Sequence, residues 1–239
     1  GLGDVYKRQV LAGLAYNFAT YACNSFMVPM LQRFFSLSLQ NAAVATGVIV
    51  GVTGLIGLTL GGWVADKIHQ RLPGGRLLFG AFSMLVATLG TGLALYLGRI
   101  EIGVFVALFG VGWLFAYNFY TCVYTAIQDV VQPRLRATAM ALFFAGLYLL
   151  GGGLGPVVVG TLSDHYAQLA MLEAGAVEMT EAFKAVGLHN AMGLIPVALA
   201  ATLVFLLLAA RTFARDAEKM KAGMLEEGAA EAGKAAEAL

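Results

Sequence analysis

From Val10 to Arg211 the chain is a succession of apolar runs separated by short polar clusters. About 20 mostly apolar residues in a helix cross the hydrocarbon of a bilayer. Six charge-poor runs reach that length, at residues 10–33, 41–65, 76–98, 102–129, 137–162 and 187–210. Lipid offers backbone amides no partners, so only helices or closed barrels span it, and these runs lack the alternation of barrel strands. The pattern predicts an all-α membrane protein with six transmembrane helices. Residues 163–186 form the one long connection, in which Thr180-Glu181-Ala182-Phe183 has the form of a cap for a short surface helix. From 212 to 239 Ala, Glu, Lys and Gly dominate without an apolar face, which predicts a solvated tail with no packed core.

Composition agrees with the pattern. Of 239 residues 59% are hydrophobic and 12% charged, and the mean hydropathy is +0.79, too apolar for a soluble domain. The formal net charge of +1 points to no nucleic-acid partner. Cys23 and Cys122 fall inside predicted spans with no clustered Cys or His, so buried free thiols are expected, and neither a metal nor a cofactor.

Placement of the cations sets the expected orientation. Lys67, Arg71 and Arg76 follow the second span, Arg134 and Arg136 the fourth, and Arg211, Arg215, Lys219 and Lys221 the sixth. The opposite side has Arg33, Arg99 and Lys184. The second loop, fourth loop and C-terminus are therefore placed in the cytoplasm, and the expected location is a bacterial inner membrane.

The stretch GGWVADKIHQRLPGGR, residues 61–76, ends the second span with a glycine pair, an acid four residues after Gly62, and trailing bases in a Pro-Gly-Gly turn. It resembles the loop signature of the major facilitator superfamily, with Gly62, Asp66, Lys67 and Arg71 in matching positions and Arg76 a later base. His69 and Gln70 stand where the family has a small residue. The segment PRLRATAMALFFAGLYLLGGGLGPVVVGTLSD, residues 133–164, is similar to the eleventh helix and its entry loop in spinster-like members. The resemblance covers residues 10–211 and implies one half of a twelve-helix fold, helices seven to twelve. Its partners would then be the lipid bilayer, a missing N-terminal six-helix half and a small-molecule substrate.

In that family the first and fourth helices of each half line the substrate cavity. Here Asn17, Thr20, Tyr21 and Asn24 fall on one face of the first span. Tyr117, Thr121, Tyr124 and Gln128 do the same on the fourth, with Asn118 and Thr125 on its flank. Hydroxyls and amides are costly against lipid, so these stripes face either a wet cavity or another helix. Small residues mark the other pair of helices, Gly47, Gly51, Gly54 and Gly61 on the second and Gly146, Gly153 and Gly160 on the fifth. The resemblance makes these the contact between halves, and the glycine-rich stretch at 151–156 a bending point. Asp66 and Asp129 are expected to pair with Lys67, Arg71, Arg76 or Arg134 in a gating cluster that includes Arg136; the alternative is a set of snorkelled anchors.

No ionisable residue lies near the middle of any run, so a proton-coupling carboxylate would belong to another part of the protein. Ser163-Asp164-His165 cannot be a triad, because consecutive helical residues diverge by about 100°. GGGLGPVVVG lacks the strand and Lys-Ser/Thr of a phosphate loop. Residues 1–9, GLGDVYKRQ, match the translation of a transposon-end adaptor from sequencing libraries, so native sequence is expected to start near Val10. The expected function is secondary transport of a small or amphiphilic solute by alternating access, with no enzyme chemistry. The alternative is a self-contained six-helix protein, either a half-size carrier acting as a homodimer or an intramembrane enzyme.

Overall fold

The computed structural model describes residues 3–72, 74–97 and 101–237, with the backbone alone over 226–237. Pro73 of the turn and Arg99 of the topology count lie outside the described residues. Among the described residues seven helices follow one another: α1 Asp4–Phe35, α2 Leu39–Arg71, α3 Gly75–Leu97, α4 Ile102–Val130, α5 Pro133–Glu173, α6 Glu181–Ala191 and α7 Leu194–Glu237. There is no strand among the described residues. Local chemistry explains the joints. Ser36 turns left-handed (φ 54°) to end α1, and the Ser38 hydroxyl accepts from the Asn41 N–H at 3.2 Å to start α2. Gly74, at φ +76°, makes the tight entry to α3.

Among the described residues five stretches are both long and apolar enough to cross a membrane: α2, α3, α4, α5, and α6 with the start of α7. The first predicted span, in α1, does not reach that apolarity, although the helix's 32 residues extend about 48 Å. Its position supplies the reason. It packs against α2, α4, α5, α6 and α7, so much of its surface meets protein rather than lipid, and Gln9, Asn17 and Thr20 are all buried. Around it the core is built from Tyr16, Met27, Phe119 and Phe143, with Phe105, Phe109 and Trp113 extending it along α4.

Three expectations are corrected. The fifth helix runs to Glu173, so the connection expected over 163–186 shortens to a turn before α6. Within α6, Leu188 and His189 are buried and the Thr180 side chain makes no capping bond, so it is no surface helix. The backbone is helical to Glu237, with Phe213 and Asp216 buried near the start of that stretch. Residues 4–9 form the first turns of α1, where Tyr6 Oη donates to the Ala139 carbonyl at 2.8 Å. Gln9 fits that packing poorly, since both its amide atoms are buried without a hydrogen-bond partner.

Two π-helical segments interrupt the helices, Gly47–Val52 in α2 and Gly146–Gly152 in α5. The Thr53 N–H reaches back five residues to the Val48 carbonyl, and the Gly153 N–H to that of Tyr148. The helical irregularity in α5 thus starts ahead of the glycine-rich stretch at 151–156 expected to bend, and α2 has a matching segment that sequence did not reveal. Closest approach of α3 and α4 occurs at Gly90 and Gly112, where a Cβ on Gly90 would sit 2.8 Å from the Gly112 Cα. Gly112→Leu should cost about 1–3 kcal/mol by overpacking. Gly47→Ala, with nothing within 4 Å, should stay within about 1 kcal/mol of wild type. Thermal melts in detergent compare the two, and equal losses would contradict this packing.

Candidate functional site

At the end of the bundle that holds the loop motif, one guanidinium joins three helices. Arg76, at the start of α3, donates from Nε (3.2 Å) and Nη2 (2.9 Å) to Asp66 Oδ1 on α2. Its Nη1 donates to Asp129 Oδ2 on α4 at 2.8 Å. A planar fork suits this task, because it can serve two carboxylates at once where an ammonium is a single point. The Arg76 side chain is only 18% exposed, against 34% for Asp129 and 60% for Asp66, so the contact with Asp129 is the better shielded. His69 Nε2 approaches the same Asp129 oxygen at 3.7 Å.

The rest of the expected gating set is dispersed. Lys67 lies over the Trp63 ring, 3.6 Å from its centroid, rather than on an acid. Arg71 is exposed at the end of α2. Arg134 is exposed in the α5 entry turn, and Arg136 Nε donates to the Val131 carbonyl at 3.2 Å, closing that turn instead of meeting Asp129. Gly62 sits 3.6 Å, measured from a built Cβ, from the Thr121 methyl. At the other end Glu181 is hydrogen-bonded by Lys184 at 2.8 Å and approached by Arg33 at 3.3 Å.

The two polar stripes divide. Asn17 is fully buried and its Nδ2 donates to the Leu147 carbonyl in the π segment of α5 at 2.9 Å. Thr20 is buried too and bonds its own helix at Tyr16. These two are therefore corrected from cavity lining to contacts inside the bundle, the cheaper solution for a polar group flanked by other helices. Asn118, on the flank of its stripe, behaves likewise, donating to Ser83 Oγ at 2.9 Å. Tyr21, Asn24 and Gln128 are exposed, while Tyr117, Thr121 and Tyr124 are half-buried.

Aromatic rings connect that open set. From α1 to α4 by way of α5 the sequence of neighbours is Tyr21, Tyr148, Phe144, Tyr124, Tyr120 and Tyr117, with successive centroids 6.2, 6.0, 5.2, 5.5 and 6.3 Å apart. Most contacts are edge-to-face, the arrangement ring quadrupoles favour. The result is a ring wall with phenol hydroxyls. Phe144, Tyr148 and Tyr120 were missed by the sequence reading, because a ring inside an apolar run looks like core. The available signals were the four-residue step from Phe144 to Tyr148 and the helical spacing of Tyr120 from Tyr117 and Tyr124.

The glycine faces divide as well. A Cβ on Gly61 would collide with the Asn118 amide, and one on Gly54 would lie 3.0 Å from the Tyr117 ring. Both pack α2 against α4 inside this bundle, which corrects their assignment to a contact between halves. Gly160 meets Phe26 at 3.3 Å and Gly146 meets Val10 at 3.9 Å, again internally. Gly47, Gly51 and Gly153 have nothing within 4 Å and lie on exposed surface. Beside them Val48, Val52, Leu149 and Leu154 are exposed, and only 22% of the apolar window of α2 is buried.

Residues 1–156 match the family model described as Major Facilitator Superfamily. The chain belongs to the major facilitator superfamily. It is 33% identical over 159 residues to an "MFS-type efflux pump" of Mycolicibacterium smegmatis, covering 65% of this chain and 36% of that protein. It is 26% identical over 162 residues to "Probable sphingolipid transporter spinster homolog 3" of Arabidopsis thaliana, covering 67% of this chain and 31% of the relative. A crystal structure of a bacterial homolog of the human lysosomal transporter Spinster, in an inward-facing and unoccupied conformation, superposes with a TM-score of 0.74. That match is at 23% identity and covers 89% of this chain and 48% of the other, and it shows the fold. The chain spans about a third of the length of these curated relatives and about half of the solved one. It is thus a spinster-like member of the superfamily, an integral membrane protein whose family points to transport rather than enzyme chemistry.

For this member the bridge at Arg76 predicts a graded response. Arg76→Gln should lower stability by about 1 kcal/mol at low salt, a figure already discounted for the exposure of Asp66 and Asp129. Lys67→Gln should cost less, and about 0.5 M salt should shrink the difference. Melts of both variants at two salt concentrations check this; an Arg76 effect indifferent to salt would contradict the ion pairing.

Proposed function

We propose that residues 10–211 are helices seven to twelve of a twelve-helix secondary transporter that moves a small amphiphilic solute by alternating access. The ring wall is the observation that carries the substrate class. It offers apolar ring faces to a hydrocarbon portion and phenol hydroxyls, with Asn24, Thr121 and Gln128, to a polar portion. No Lys or Arg of the described residues takes part in it. The relatives named for sphingolipid transport and for efflux support an amphiphile over a sugar.

The exposed faces of α2 and α5, with Gly47, Gly51 and Gly153 open, supply the surface on which the other half would ride. Their π segments would be the places where the two helices flex. In this reading the second loop, fourth loop and C-terminus are cytoplasmic, and Arg76 with Asp66 and Asp129 latches one conformation. Asp66→Asn should then slow turnover while leaving substrate affinity nearly intact.

In the complete reconstituted transporter, Tyr124→Ala should reduce uptake of a fluorescent lysophospholipid about tenfold through lost ring contacts. Tyr96→Ala, at a tyrosine 76% exposed and outside the wall, should leave uptake unchanged. A labelled hexose should not be carried. Uptake of the hexose, or equal loss in both tyrosine variants, would sink the assignment.

A further inference from the structure

Arg76 can bridge two acids only if the turn between α2 and α3 is held still, and the structure places an unexpected side chain against both limbs of that turn. Phe213 lies on α7 beyond the predicted sixth span, in the stretch read from sequence as a solvated tail, yet it is 4% exposed. On one limb its ring meets His69 edge-to-face, with centroids 6.0 Å apart at 87°. His69 in turn reaches toward Asp129 at 3.7 Å. On the other limb it abuts Gly74, whose built Cβ would sit 3.3 Å from the Phe213 Cβ. Gly74 is left-handed, and the Leu77 and Leu78 N–H groups bond its carbonyl at 3.0 and 3.2 Å, so its placement sets the first turn of α3. Arg76 stands in that turn.

The same part of α7 continues along the bridge. Phe213, Ala217 and Lys221 face His69, Asp129 and Arg136 across a cavity of about 460 Å³. Water in that cavity would screen Asp129, which makes fixed geometry, rather than a dry interior, the means of keeping the bridge formed.

We propose that Phe213 is a positioning residue for the Arg76 bridge, and that the stretch of α7 from Arg211 to Lys221 is an arm that clamps the motif turn through it. The effect on transport rests on the latch reading above. The clamp itself does not, and it is tested without transport.

Hydrogen exchange of the whole chain in detergent reads the turn directly. Phe213→Ala should speed exchange over residues 68–72 and 74–78 about tenfold while leaving 84–95 and 105–116 within about twofold. Phe213→Leu, which keeps an apolar plug, should restore most of the protection. Asp129→Asn should loosen the same turn in the wild type but add little on top of Phe213→Ala, because both act through one bridge. Gly74→Ala approaches the contact from the other side, and should speed exchange in both the turn and residues 211–220 should Phe213→Ala fail to fold. An unaltered turn in Phe213→Ala, uniform loosening of the bundle, or additive effects of Phe213→Ala and Asp129→Asn would each overturn the clamp. If the clamp holds and Phe213→Ala in the complete protein leaves transport unchanged, the latch reading fails while the clamp stands.

Discussion

A polar group inside hydrocarbon must find a partner, and most of this bundle's arrangement follows from that constraint. It places α1, with Asn17 and Thr20, in the middle of the other helices rather than at their edge. It ties Asn17 to the Leu147 carbonyl and Asn118 to Ser83. The same constraint leaves the hydroxyl-bearing face of Tyr117, Tyr120, Tyr124 and Tyr148 in need of water or solute rather than lipid. Charges obey it at both ends, with Arg76, Asp66 and Asp129 gathered at one and Arg33, Glu181 and Lys184 at the other.

Much of this was legible in the sequence because membrane constraints act on composition. The limits of α3 and α4 follow from apolar runs that end where charge begins, and Asp66 with Arg76 from a motif in one loop. What could not be read was direction within a crowded bundle. Asn17 and Asn24 share a helical face, yet Asn17 meets the Leu147 carbonyl of α5 and Asn24 stays exposed. Gly54 and Gly51 look alike in sequence, and only Gly54 lies under Tyr117. Length misled in the other direction, since hydropathy set the end of the fifth run near 162 while backbone hydrogen bonding carries that helix to Glu173.

The motif end and the ring wall are mechanically linked through α4. Asp129 is near its C-terminal end, and Gln128, Tyr124, Thr121 and Tyr117 step back from it along the open side. A contact that holds Asp129 therefore fixes the depth and rotation of the helix that presents most of the wall. The outer faces of α2 and α5 carry exposed Val48, Val52, Leu149 and Leu154, while the π segment of α5 is held on its inner side by α1 through Leu147 and Gly151.

Under the proposed function, this bundle is half of a carrier and needs a different half to enclose the wall. The direct measurement is lysophospholipid uptake into proteoliposomes by two preparations, the 239-residue chain alone and the complete reading frame that includes residues 10–239. The account predicts uptake by the complete protein and none by the 239-residue chain at any protein-to-lipid ratio. Uptake by the chain alone, rising as a dimer forms, would contradict it and establish a half-size carrier.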